Sequence, residues 1–521
     1  MMSILVVDFG SQYSHLICRR SRELNVFSEL CACTVTVAEI EKFNPSGIIL
    51  SGGPSSVYEE GSPHLSAPVW AWIQSARIPI LGICYGLQEM MHHLGGKVES
   101  GSKREFGNAT LRTSQSQLFA NGIPTELSVW MSHGDKVTRL APGFVVCATS
   151  ENSEMCAVEN LATKMFGLQF HPEVTHSAFG NEILKNFISG ICNCLPTWTM
   201  ENFIGIELGK IHALVGESGH VIGAVSGGVD SSVGASMLFK ALGDRFHPIL
   251  VDTGFMRLNE ASEVKTRLES HIPGLKLLVV DASVKFMAAL TNVEEPELKR
   301  KIMGSLFIET FDETVKNVLK MNPTECFLLQ GTLYPDVIES ISYKGPSHTI
   351  KTHHNVGGLP DKMKMKVIEP FRFLFKDEVR QVGLQLGLHH DSVYRHPFPG
   401  PGLAIRIIGP ITPEGILCLQ KADDIFISEL RKSGEYDKIG QAFVVLLSGI
   451  KSVGIMGDCR TYEHVACIRA VQTSDFMTAD WYRMPYDLLS RVSTRIVNEV
   501  RGINRVAYDV TSKPPASIEW E

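Results

Sequence analysis

Two stretches of the chain alternate short β-branched runs with longer amphipathic segments, and few folds accept that alternation. In the first, ILVVD (4–8), GIIL (47–50) and PILGI (79–83) are separated by helix-like sequence. In the second, VIGAV (221–225), HPILVD (247–252), KLLVVD (276–281) and CFLLQ (326–330) repeat the rhythm. Strands joined by helical crossovers pair in parallel and need helices on the sheet faces, so each stretch predicts an α/β domain.

The breaks between stretches set the expected boundaries. ICNCLPTWTM (191–200) interrupts the first pattern at Pro196, and a helix is expected from Met200 to Val215. HPFPGPG (396–402) can continue neither helix nor central strand. Beyond it lie strand-like AIRIIG, FVVLL, SVGIM and EHVACIRAV, with one amphipathic helix over 416–430 that places Leu419, Ala422, Phe426 and Leu430 on one face. This predicts three domains, 1–195, 196–395 and an α+β module over 396–521, as the length of 521 residues suggests. Residues 343–366, polar and rich in His, Lys and Gly, read as a lid.

Composition narrows the class of function. Apolar residues make up 44% of the chain and charged residues 20%, the balance of a folded protein. A formal charge of −7 with no basic block argues against a nucleic-acid surface. No apolar run approaches the roughly 20 residues of a membrane span, and the first residues lack a signal-peptide layout, so a cytoplasmic protein is expected. The twelve cysteines are spread along the chain, as reduced core thiols would be. The Cys31/Cys33 and Cys192/Cys194 spacings fit no common zinc pattern.

Gly-Ile-Cys-Tyr-Gly (82–86) has the form of a nucleophile elbow with Cys84 as nucleophile. A thiol placed where a helix begins has its thiolate stabilised by backbone N–H groups and the helix dipole. Such a nucleophile needs a base and a group to orient it, and GLQFHPEV (167–174) offers His171 and Glu173, two apart and so on one side of an extended strand end. Upstream, SGGPSS (51–56) lets backbone N–H groups approach a substrate, and the N–H groups of Gly53 and Tyr85 form a candidate oxyanion hole. A lone cysteine is usually packing and a His-Pro-Glu run usually a turn; their joint occurrence in this order carries the signal. The first 190 residues resemble a class I glutamine amidotransferase. That resemblance implies glutamine hydrolysis through a thioester on the triad Cys84, His171 and Glu173, with Gln88, His133, Gly134 and Asp135 at the glutamine pocket.

The string SGGVDSS (226–232) follows an expected strand and opens a helix, which makes it a phosphate loop. It lacks the G-x-x-x-x-G-K of kinases and GTPases. It is similar to the loop of N-type ATP pyrophosphatases, the adenine nucleotide alpha hydrolase-like fold. By that likeness Ser226, Gly227, Gly228, Val229, Asp230, Ser231 and Ser232 bind ATP phosphates, and Asp230 helps to place Mg²⁺.

Several enzyme families join ammonia to an adenylating loop, so the acceptor must be read elsewhere. VDTGFMR (251–257), QGTLYPDVIES (330–340), HHNVGGLP (353–360), FKDEVR (375–380), RHPFPGPGLAIR (395–406) and KPPASIEWE (513–521) resemble the GMP synthetase family, and the likeness runs from Leu5 to Glu521. Thr253 stands where that family more often has asparagine. The resemblance implies that Arg257, Arg406, Lys513 and Glu519 lie near a site for xanthosine monophosphate (XMP). It also implies a two-part reaction. Cys84 attacks glutamine, His171 protonates the departing ammonia, and the ammonia displaces AMP from an XMP adenylated at O2 by ATP. A C-terminal homodimer is expected with it. Two alternatives stay open: another adenylating amidotransferase, and a descendant that binds nucleotide without catalysis.

Overall fold

A computed structural model of the chain describes residues 2–322, 325–341, 365–456, 459–473, 476 and 478–521. All but the last two residues of the expected lid lie outside them. By contacts the chain divides into two compact units: Met1–Gly205 with Thr332–Gly358 and Arg372–Phe375, and Ile206–Gly331 with Leu359–Phe371 and Lys376–Glu521. The three expected domains thus meet a chain whose second unit holds both the middle sheet and the C-terminal one.

Among its described residues the first unit carries nine strands: β1 (Ser3–Asp8), β2 (Phe27–Ala32), β3 (Gly47–Leu50), β4 (Ile80–Ile83), β5 (Lys97–Thr113), β6 (Glu126–Arg139), β7 (Val145–Thr149), β8 (Ala157–Asn160) and β9 (Met165–Leu168). They form one sheet in the order β2-β1-β3-β4-β9-β8-β7-β5-β6. The β2 to β9 half is parallel, as the sequence rhythm predicts, and the rest is antiparallel. The parallel strands β3 and β4 are buried along their whole length, which is why they read as unbroken apolar runs. The adjacent strands β3, β4 and β9 send their C-terminal ends into the Gly52-Gly53 loop, the Cys84 turn and the His171 segment respectively. Ligands of open α/β sheets gather at such ends.

The second unit has a five-stranded parallel sheet, β10 (His220–Ala224), β11 (Phe246–Asp252), β12 (Leu278–Asp281), β13 (Cys326–Leu329) and β14 (Lys366–Ile368), ordered β12-β11-β10-β13-β14. The chain runs outward from β10 to β12 and then returns to β13 on the other side. That puts the phosphate loop after β10 at the topological switch point. A third sheet joins β15 (Ile407–Ile408), β16 (Gln441–Met456), β17 (Cys459–Gln472), β18 (Asp480–Trp481) and β19 (Ile503–Tyr508). Its core, including Phe426, Val444, Ile468 and Val492, is continuous with Ile222 and Ile249 of the middle sheet. The helix Pro413–Lys432 covers the expected 416–430 span; Thr412 caps it by accepting from Gly415 N at 3.0 Å, and proline opens it.

One expected strand is replaced. AIRIIG gives a 3₁₀ turn over Gly402–Arg406 and only two strand residues. Gly402 has φ +63°, and a Cβ there would lie 2.3 Å from the Phe255 carbonyl oxygen, so the backbone turns at a place only glycine accepts.

Candidate active sites

Cys84 sits between β4 and the helix Tyr85–His93 with φ 53° and ψ −104°, a strained conformation for a residue with a side chain. The two flanking glycines explain how the turn closes. A Cβ on Gly82 would lie 2.6 Å from the Gly86 carbonyl, and one on Gly86 only 2.3 Å from the Leu50 carbonyl oxygen. The turn is further held by the Cys84 N–H, which donates to Leu168 O at 2.7 Å and so ties the elbow to the end of β9.

His171 and Glu173 lie in a turn just past β9 rather than on the strand expected for them. Both are buried, and His171 Nδ1 is 2.7 Å from Glu173 Oε1. A carboxylate only accepts, so Nδ1 carries the proton and Nε2 is left toward Cys84. Burial works against charge on His171, but the Glu173 carboxylate and the bond to Cys84 outweigh it and hold the imidazole well above its ordinary range. Arg20 Nε donates to the Glu173 backbone oxygen at 3.1 Å, and the Tyr13 ring stands edge-on to His171 with centroids 5.5 Å apart.

Gly52 and Gly53 pack against this centre: a Cβ on Gly52 would sit 3.1 Å from His171 Cε1, and one on Gly53 2.8 Å from Phe9 O and 3.2 Å from Tyr85 Cγ. The remaining pocket candidates converge on the Asp135 backbone, whose oxygen accepts from Gln88 Nε2 at 3.1 Å and from His133 Nδ1 at 3.0 Å. Tyr58 Oη donates to Asp135 Oδ1 at 2.9 Å. Burial lowers the affinity of His133 for a proton, against the pull of the Glu105 carboxylate 3.0 Å from its Nε2. Gly134 lies within this stretch of β6. The sequence reading missed Tyr58, Glu105 and Gln169; the last stands two residues before His171 in a string already singled out, and a polar residue at an inward position was the available signal.

In the second unit the helix Val229–Leu242 starts at Gly228. Gly227 has φ +75°, and a Cβ would lie 2.4 Å from Val264 Cγ2, so the loop needs glycine there. Ser231 Oγ shapes the loop by accepting from Ser226 N at 3.2 Å and donating to Gly228 O at 3.1 Å. Val229 and Ser232 are buried under it. Asp230 pairs with Lys376 through Oδ2, while its buried Oδ1 has no hydrogen-bond partner among the described residues. Arg395 braces the loop by donating to Gly227 O at 2.6 Å and pairing with Glu260.

The four candidates for nucleotide monophosphate fall into two groups. Lys513 lines a cavity of about 1150 Å³ together with Arg380, Arg395, Lys438, His390 and Thr473. Arg257, Arg406 and Glu519 are not part of that lining. Arg406 is completely buried, bonds Glu519 through Nη2 at 2.8 Å and Nε at 3.1 Å, and lies 4.1 Å from the Phe443 ring centroid. Arg257 pairs with Asp423 at 3.2 Å, and Arg257 and Arg406 both stack on Phe398. The Arg406–Glu519 pair thus anchors the C-terminal segment that carries Lys513.

Two known families match parts of the chain. The class-I glutamine amidotransferase family matches residues 5–191, and the GMP synthase C terminal domain family matches residues 428–520. A glutamine-hydrolyzing GMP synthase of Eremothecium gossypii is 56% identical over 520 residues, covering 100% of this chain and 98% of its own length. Those of Kluyveromyces lactis and Saccharomyces cerevisiae are 55% and 53% identical, each again over 100% of this chain and 98% of the relative.

Proposed function

The chain belongs to the family of glutamine-hydrolysing GMP synthases, and on that premise we propose that its two units divide one reaction between them. As an enzyme of that family it makes GMP with nitrogen from glutamine and uses ATP. The observation that carries the division is Cys84, held at a strained elbow beside a buried His171–Glu173 pair in one unit while the phosphate loop stands in the other.

In the first unit the Cys84 thiol passes its proton to His171 Nε2, and the sulfur attacks the side-chain amide carbon of glutamine. The N–H groups of Gly53 and Tyr85 receive the oxyanion. His171 then returns a proton to the departing nitrogen, ammonia leaves, and water hydrolyses the thioester to glutamate. Gln88, His133, Gly134 and Asp135 hold the glutamine. Glu173 keeps Nδ1 protonated and the ring oriented throughout.

In the second unit the residues Ser226 to Ser232 hold the ATP phosphates at the positive end of the helix. Asp230 Oδ1, which has no hydrogen-bond partner among the described residues, is a hard carboxylate oxygen suited to Mg²⁺. Mg²⁺ held there would neutralise phosphate charge. XMP attacks the α-phosphate through its O2, pyrophosphate leaves, and ammonia then displaces AMP to give GMP. Lys513 and the cations around its cavity suit the 5′-phosphate of XMP, while Arg257, Arg406 and Glu519 stand outside that lining and brace the segment around it. Lys513→Ala is therefore expected to weaken XMP binding by about 1.5 to 3 kcal/mol, the usual range for a hydrogen bond to a charged group. Unchanged XMP affinity would remove Lys513 from the site.

The enzyme is further proposed to be a cytoplasmic homodimer. Twelve unpaired cysteines suit a reducing compartment, and no helix among the described residues is long and apolar enough to cross a membrane. Val453 and Ile455 are 53% and 79% exposed on β16, a surface that a second copy can cover. The test of the whole reading is a coupled assay with XMP, ATP and glutamine, which should form GMP, AMP, pyrophosphate and glutamate in equal amounts. Turnover of deamido-NAD or aspartate in place of XMP would contradict it.

A further inference from the structure

We propose that Gln169 is a further catalytic residue of the glutamine site, an amide donor that holds the Cys84 sulfur in its anionic form. The starting point is the Asp135 carbonyl, which can only accept. It takes Gln88 Nε2 at 3.1 Å, and this fixes which end of the Gln88 amide is nitrogen. That same nitrogen lies 3.5 Å from Gln169, so the Gln169 atom facing it is the oxygen Oε1. With its oxygen committed, the Gln169 amide presents its nitrogen on the other side, where Nε2 lies 3.8 Å from Cys84 Sγ.

The surroundings make this donor count. Gln169 is completely buried, and its backbone N–H is held by Cys156 O at 2.7 Å. On another side of the sulfur stands the Ser132 carbonyl oxygen at 3.8 Å, which suits an S–H group and opposes a thiolate. Gln169 supplies the reverse preference, because an N–H stabilises a sulfur that has lost its proton. Hydrogen bonds to charge are stronger than neutral ones, and more so away from water. An N–H donor from Gln169 and a carbonyl acceptor from Ser132 thus meet the Cys84 sulfur from two sides.

This inference rests on the reading of Cys84 as the nucleophile, and the experiment separates the two. Alkylation of Cys84 by iodoacetamide is followed in the full-length protein from pH 5 to 10 by mass analysis of its peptide. Ammonia-dependent GMP synthesis by the same samples reports that the second unit is intact, and far-UV and near-UV circular dichroism report that the whole chain is folded. In Gln169→Leu the pH of half-maximal alkylation should rise by about one unit, a tenfold loss of thiolate at fixed pH, with glutamine-dependent kcat/KM falling by a similar factor. Gln169→Glu, closer in shape and the recourse should the leucine variant misfold, should move the profile further by replacing a donor with a like charge. Gln88→Leu should move it less, since it removes only the group that orients Gln169. An alkylation profile unchanged in Gln169→Leu and Gln169→Glu overturns the inference. Wild-type protein that keeps glutamine-dependent synthesis after Cys84 is alkylated overturns the nucleophile reading as well.

Discussion

A buried imidazole beside a buried carboxylate makes the stability of the first unit depend on pH in a definite direction. The His171 proton affinity in the folded protein lies well above its ordinary value, burial being outweighed by Glu173 and the bond to Cys84. A raised value means that stability is fully present below the unfolded imidazole's range, about pH 6.5, and is lost as pH rises through the folded value. Glu173→Gln removes the main cause of the shift. The gap in stability between wild type and Glu173→Gln, measured by urea midpoints from pH 6 to 9, should be widest at the acid end and close as pH rises. A gap independent of pH would contradict the charged pair. At this scale the sequence was informative about Cys84, His171 and Glu173, because nucleophile, base and orienting acid stand in short strings with distinctive neighbours. Gln169 was not legible: its role depends on which end of an amide faces sulfur, and that is set by Asp135, which is far away in sequence.

The elbow is an element whose two glycines were legible and whose strictness was not. The Gly-x-Cys-x-Gly pattern marks the elbow in sequence; the distances say how little room it leaves. Gly86→Ala would drive a Cβ to within 2.3 Å of a backbone oxygen that cannot move freely, and overpacking of this kind costs about 1 to 3 kcal/mol. Gly205→Ala is the contrast, since that helical position has open space and alanine favours a helix. Calorimetry should find a lowered unfolding temperature for Gly86→Ala and none for Gly205→Ala; equal values would mean that the turn relaxes around an added methyl group. Parallel strands such as β3 and β10 were readable as apolar runs bounded by turns. The antiparallel strands β5 and β6 were not, because both are long, irregular in register and mixed in polarity. The strand expected at AIRIIG keeps only Ile407 and Ile408, because the chain turns at Gly402 just before it and Arg406 faces inward to pair with Glu519.

For the whole molecule, the proposed dimer and the proposed division of labour make separate predictions. Sedimentation at micromolar concentration should give a dimer, and a monomer with full activity would leave Val453 and Ile455 without the proposed partner surface. The alternation of strands and helices made two α/β sheets legible from sequence, while the joint packing of residues 206–331 with the C-terminal sheet was not, because one core drawn from Ile222 to Ile503 has no local sequence signature. The division of labour is tested most directly by Cys84→Ala, assayed for GMP with glutamine and, separately, with high free ammonia at mildly alkaline pH. The variant has no thiolate to form a thioester, so synthesis from glutamine should vanish while synthesis from ammonia persists with AMP and pyrophosphate as co-products. Asp230→Ala should lose synthesis from both sources. Loss of ammonia-dependent synthesis in a folded Cys84→Ala protein would contradict the account and assign Cys84 to the synthetase chemistry or to the core.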